Sequence, residues 1–122
     1  MRLAVRAYWE LIRLDVYLLR RDFAGLCNAV RNCRADVHVT SGAVEPICTA
    51  VNLACIWYWK EALCLQRSAV TARLLKQHGV PAELVIGVQT MPVRAHAWVE
   101  VGGAVVNDKP YIREIYTVLD RC

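Results

Sequence analysis

No two of the six cysteines stand at the close two-residue spacing of a zinc ribbon; they fall at 27, 33, 48, 55, 64 and 122. A zinc-module reading therefore has nothing to rest on. No block of like charge exists either. The net charge of +4 is scattered along the chain, which weighs against a nucleic-acid partner. No apolar stretch is long enough and free enough of charge to cross a bilayer. At the N-terminus Arg2, Arg6, Glu10, Arg13 and Asp15 interrupt the apolar positions, which also excludes the core of a signal peptide. Repeats, low-complexity tracts and linkers are absent.

What is present is 122 residues, of which 57% are hydrophobic and 21% charged. Such a composition excludes disorder and suits one domain with its own core. So much apolar surface also predicts a face that binds a partner. The expected organisation is a single domain over 1–122, with a helical part over 1–60 and a second part over 61–122. Without an export signal the chain is expected in the cytoplasm, where thiols stay reduced. Most of its cysteines should then be small buried apolar residues, unpaired.

Apolar spacing predicts a helix over 2–21, through Leu3, Ala7, Leu11, Leu14 and Leu18, with arginines elsewhere around it. A basic amphipathic helix of this kind could lie on a membrane or a partner; a core helix with a solvated face is the simpler reading. A second helix is expected over 23–34, a polar loop from Asp36 to Glu45, and a very apolar third helix over 47–60. The fourth runs over 64–78, with Gly79 as C-cap and Pro81 as stop. Then the period changes to two. Strands are expected around 84–88, over 94–101 and over 104–108, with a turn at Gly102-Gly103 and a last strand over Ile112 to Leu119. Helices first and an antiparallel sheet after them make an α+β layout.

One cysteine stands apart. Cys64 begins the fourth helix, whose N-terminus favours a thiolate and offers free N–H groups to an oxyanion. The other five fall within helices or at the chain end. A thiol nucleophile also needs a histidine and a polar group to orient it. His38 lies in the polar loop, and His78 lies in the last turn of the helix, where a cation suits the dipole. His96 is mid-strand between two alanines and firmly placed. Strand parity tests the acid. A two-residue turn pairs Ala97 with Asp108 and puts His96 on the opposite face; a three-residue turn over Val101 to Gly103 brings Asp108 opposite His96, with Cβ atoms about 5 Å apart. Cys64, His96 and Asp108 as a triad thus demand a three-residue turn or an equivalent bulge. Glu100 is the rival acid, though its relation to His96 runs along the strand. Trp98 reads as a core or pocket aromatic, and Arg67 and Arg94 as surface cations or contacts for a substrate carboxylate.

Taken together, Cys64-Leu65-Gln66-Arg67-Ser68-Ala69, Gly79-Val80-Pro81-Ala82, Ala95-His96-Ala97-Trp98-Val99-Glu100 and Val105-Val106-Asn107-Asp108 resemble the leader peptidases of lasso-peptide biosynthesis, in the transglutaminase-like superfamily. The resemblance is specific over 64–108 and looser over the N-terminal helices. It implies a papain/transglutaminase-like core with the catalytic helix packed on a small antiparallel sheet. It implies cysteine peptidase activity with Cys64, His96 and Asp108 as the triad, and no metal or cofactor. The implied substrate is a ribosomally made precursor peptide. The implied partners are a separate leader-binding protein, since the chain looks like the stand-alone form, and an ATP-dependent cyclase. The same triad would serve a transglutaminase or amidase, and a dead hydrolase fold would serve as a peptide-binding adaptor.

Overall fold

The apolar spacing of the N-terminal half produces three helices. α1 (Arg2–Leu19) turns Ala7, Leu11 and Leu14 inward, four and three residues apart. α2 (Phe23–Arg31) is started by Asp22, whose side chain accepts from the Gly25 N–H at 2.9 Å. α3 (Val44–Trp57) buries Ile47, Ala50, Val51 and Ala54. The computed structural model describes residues 2–33, 44–59, 64–90 and 92–122. Most of the expected 36–45 loop, His38 included, lies outside the described residues.

α4 (Cys64–Gln77) is central and touches the three earlier helices and the sheet. Its end is closed by Gly79 at φ 81°, with the Gly79 N–H donating to Lys76 O at 3.0 Å and the Val80 N–H to Leu75 O at 2.9 Å. Buried polar groups lock the helices in place. Gln66 Nε2 donates to Leu11 O at 2.7 Å, and Arg73 reaches Glu10 at 2.8 Å and Ala29 O at 2.6 Å. Tyr58 donates to Asp15 Oδ2 at 3.0 Å.

β1 (Ala82–Thr90) and β2 (Val93–Val101) pair antiparallel over nine consecutive residue pairs, from Ala82↔Val101 to Thr90↔Val93. β3 (Ala104–Val105), α5 (Ile112–Ile115) and β4 (Thr117–Arg121) follow, and the antiparallel sheet has the order β3-β2-β1-β4. Side chains alternate as the period predicts. Ala82, Leu84, Ala97 and Val99 join the helical core; Val85 and Trp98 face the other way and pack with Ile112 and Tyr116.

The α+β order holds, with two corrections. The strand expected over 104–108 stops at Val105. The strand expected over 112–119 is divided, because one helical turn lets Ile112 pack on the second small core before β4 begins at Thr117. Most of the cysteines are free, as expected, and one pair is bonded. Cys122 exchanges two backbone hydrogen bonds with Leu84, which carries its sulfur against α2 and into a disulfide with Cys27.

Candidate active site

Cys64 is the first residue of α4 and half-buried. One turn further on, Ser68 occupies the same helix face. Ser68 Oγ donates to the carbonyl of Ala97, the residue after His96, at 3.0 Å. α4 is thereby fastened to β2 beside the histidine. Asn107 completes the link: its Nδ2 donates to Ser68 Oγ at 3.0 Å and its Oδ1 accepts from the Val99 N–H at 2.8 Å.

The turn between β2 and β3 has two residues, not three. Val101 pairs with Ala104 and Glu100 with Val105, and Gly102 and Gly103 both take positive φ, 58° and 84°. By strand parity His96 and Asp108 should then point apart. They do not, because the strand does not continue. The Val106 N–H still donates to Val99 O at 3.0 Å, but the Val99 N–H turns to the side chain of Asn107. The ladder ends there and the chain bends through Asn107 and Asp108. The bend delivers the Asp108 carboxylate to His96, with Nε2 to Oδ2 at 2.6 Å. The parity rule holds only while the pairing lasts.

Burial pushes the Asp108 carboxyl up, but the hydrogen bond from His96, the Lys109 N–H at 2.7 Å, and the charges of His96 and Arg67 outweigh it. The net result is a carboxyl held below its ordinary value. An ionised carboxylate only accepts, so Nε2 carries the proton of this bond, and in the neutral form of the ring the lone pair is then on Nδ1. Nδ1 is the nitrogen open to act as a base. Among the described residues no hydrogen bond joins Cys64 to His96.

The imidazole is held flat from its sides. Tyr116 stacks on it at 5.3 Å between centroids and Trp98 at 6.3 Å. Gly87 sits across from His96 in the β1–β2 pair, and a Cβ there would stand 2.7 Å from the Trp98 ring and 2.9 Å from Tyr116 Cβ. Glu100, the rival acid, makes its contacts elsewhere. It is 3% exposed, accepts from Trp98 Nε1 at 2.9 Å and faces Arg121 at 3.3 Å.

The remaining free cysteines are less suited to attack. Burial pushes the thiols of Cys48 and Cys55 up, with Arg67 partly opposing this at Cys55. Cys33 and Cys48 place their sulfurs toward the carbonyls of Arg73 and Val106. Among the described residues the only convergent set of metal-ligand types is Cys27, Asp120 and Cys122, and its two sulfurs are bonded to each other. Sequence reasoning missed Ser68, Asn107 and Tyr116. Two of them carried a signal: Ser68 is four residues after Cys64, and Asn107 adjoins Asp108.

Residues 8–121 match the family model described as the transglutaminase-like superfamily. The chain is also similar to the microcin J25-processing protein McjB of Escherichia coli, 46% identical over 56 residues, which is 46% of this chain and 27% of that protein. It therefore spans about a quarter of that relative. No solved structure matches the chain at a significant level. The family match runs through the whole of α4 and the sheet, the elements that carry Cys64, His96 and Asp108, and the chain belongs to the transglutaminase-like superfamily.

Proposed function

We propose that this chain is a cysteine peptidase that removes the leader from a ribosomally made lasso-peptide precursor. One observation carries the reading: His96 and Asp108 meet at 2.6 Å next to the point where the helix opened by Cys64 is fastened to β2. The likeness to a protein named for microcin J25 processing supports the substrate class.

In the proposed reaction His96 Nδ1 takes the Cys64 proton. The thiolate attacks the carbonyl carbon of the last leader residue, a C–S bond forms, and the carbonyl π electrons move to oxygen. Free N–H groups at the start of α4 hold that oxyanion. The C–N bond to the core breaks as His96 protonates the leaving amine. Water, deprotonated by His96, then attacks the thioester, the C–S bond breaks, and Cys64 regains its proton. Asp108 holds the tautomer and offsets the imidazolium charge. The steps require these three side chains, backbone N–H groups and water.

We further propose that the chain works in the cytoplasm, beside a separate leader-binding protein and an ATP-dependent cyclase. No described helix is long and apolar enough to cross a membrane. In a reducing compartment Cys27 and Cys122 would stand as adjacent thiols.

Intact-mass analysis of a precursor incubated with the leader-binding protein and this chain tests the reading, wild type beside Cys64→Ala. Leader and core should appear as two masses with the wild type alone. Equal cutting by the variant would exclude Cys64 as nucleophile. A mass gain from added amine, without cutting, would instead assign transfer chemistry to the site.

A further inference from the structure

β4 is an edge strand, and its side chains from Thr117 to Arg121 are all exposed. None of them anchors it by burial. Four things fasten it. One is a backbone ladder to β1, interrupted between Ile86 and Gly87 and extended by the Leu84–Cys122 pair. The second is Arg121, which faces Glu83 at 3.2 Å and Glu100 at 3.3 Å. The third is a hydrogen bond from Arg31 to Arg121 O at 3.2 Å. The fourth is the disulfide between Cys122, next after the strand, and Cys27 of α2. An edge strand without buried side chains lies at the low end of local stability, so a covalent tie to it has a large effect on whether it stays in place.

The other end of β4 reaches the candidate site. Tyr116, the residue before the strand, stacks on His96 at 5.3 Å. Gly87 pairs with His96 on one side and with Val118 on the other. The strand that the disulfide fastens therefore also presents the ring that covers the imidazole.

The sulfurs are also placed for exchange. Cys27 lines a cavity of about 450 Å³, with Ile86 and Leu119 among its walls, and Cys122 does not. A small disulfide entering there meets Cys27 first. We propose that Cys27 and Cys122 are a reversible redox clasp for β4, exchanged by a low-molecular-weight thiol–disulfide couple. Oxidised, the clasp holds Tyr116 on His96; reduced, β4 frays and the imidazole loses that cover. On oxidation the Cys27 thiolate attacks one sulfur of a disulfide R–S–S–R, whose S–S bond breaks. This gives a mixed disulfide on Cys27 and one R–S⁻. The Cys122 thiolate then attacks the Cys27 sulfur and expels the second R–S⁻. The two cysteine protons end on the two R–SH released, and the electron pair lost by the cysteines reduces R–S–S–R. Excess R–SH reverses each step.

The effect on His96 deepens the peptidase reading and rests on it for its consequence; the clasp stands without it, and the test involves no cleavage. The probe is the glutathione couple, and the protein is the 122-residue chain carrying Cys64→Ala, so that no mixed disulfide forms at the candidate nucleophile. After equilibration at a series of ratios, acid quench, alkylation and peptide mapping should show the Cys27–Cys122 bond forming and breaking along one reversible curve. Amide hydrogen exchange over 117–121 should be at least about tenfold faster in the reduced form, with α1 and α4 unchanged. The NMR signal of His96 Cε1–H should shift between the two forms, while that of His78, just past the end of α4, stays in place. Cys27→Ser should show the reduced exchange rate and the reduced His96 signal at every ratio. Cys122→Ser should do the same, so the result does not hang on one variant. Tyr116→Leu should abolish the His96 shift and keep the exchange difference. A bond that never forms, a bond that survives the most reducing ratio, equal exchange in the two forms, or an unmoved His96 signal overturns the proposal. So does zinc retained by the reduced chain, which assigns Cys27, Asp120 and Cys122 to a metal.

Discussion

β2 has two neighbours and pairs with them in opposite ways. Against β1 it runs nine residue pairs without a break, and every side chain lands on the face its position dictates. Against β3 it keeps two pairs and then gives up the ladder. The regular side builds the frame, with Ala97 and Val99 in the helical core and Trp98 under Tyr116. The irregular side builds the candidate site, because only a chain that has left the ladder can swing Asp108 to His96. Within one small sheet, stability and chemistry are drawn from pairing and from its failure.

The comparison can be broken at several points. The largest effect is expected at the end of the irregular side. Asp108→Asn should cut turnover on the order of 10⁴-fold, since the imidazole loses the acceptor that fixes its tautomer. Its unfolding free energy should move by less than about 1 kcal/mol. A variant with normal turnover would remove Asp108 from the mechanism.

The regular side should answer in stability. Trp98 is fully buried and donates to Glu100. Trp98→Ala should cost about 3–5 kcal/mol in a urea melt. A loss below about 1 kcal/mol would mean that the second small core contributes little.

Asn107 stands where the two regimes meet. Asn107→Ala leaves the Val99 N–H without its acceptor and Ser68 Oγ without its donor. The expected cost is about 1–3 kcal/mol. Turnover should fall further than the substrate KM changes, because the link between α4 and β2 is what aligns the two halves of the site. Equal changes in both would make Asn107 merely structural.

Gly102→Ala should be mild, about 1 kcal/mol, because φ is 58° and nothing lies within 4 Å of an added Cβ. Turnover should be unaffected, since the break in the ladder lies downstream of the turn. A change in activity would show that the turn itself sets the position of Asp108.

Acid titration sharpens the picture at the smallest scale. The folded-state Asp108 carboxyl lies below its unfolded value, so its contribution to stability is complete above about pH 4. That contribution is lost as pH falls through the lowered native value. The difference in urea midpoint between wild type and Asp108→Asn should be flat at neutral pH and shrink in acid. Parallel curves through the acid range would contradict the lowered carboxyl.

Much was legible without coordinates. Helical spacing placed α1 to α4 within a few residues, Gly79 marked the end of α4, and period two marked β1 and β2. These signals are local: each residue's side of an element follows from its neighbours three, four or two places away. Cys64 and His96 could be named for the same reason, from residue type and position on an element; Asp108 was named from a three-residue turn that the structure replaces with a two-residue one.

What the tertiary structure alone decided involves groups far apart in the chain that compete for one partner. The Asn107 amide that accepts from the Val99 N–H also donates to Ser68, 39 residues before it. That arrangement moved Asp108 across a parity rule that the sequence obeyed. Glu100 was settled by Trp98, Arg113 and Arg121, and Cys27 found Cys122 across 95 residues because β4 closes the sheet on β1. Periodicity determines which face a residue occupies; it carries no information about which of several acceptors on that face the fold brings within reach.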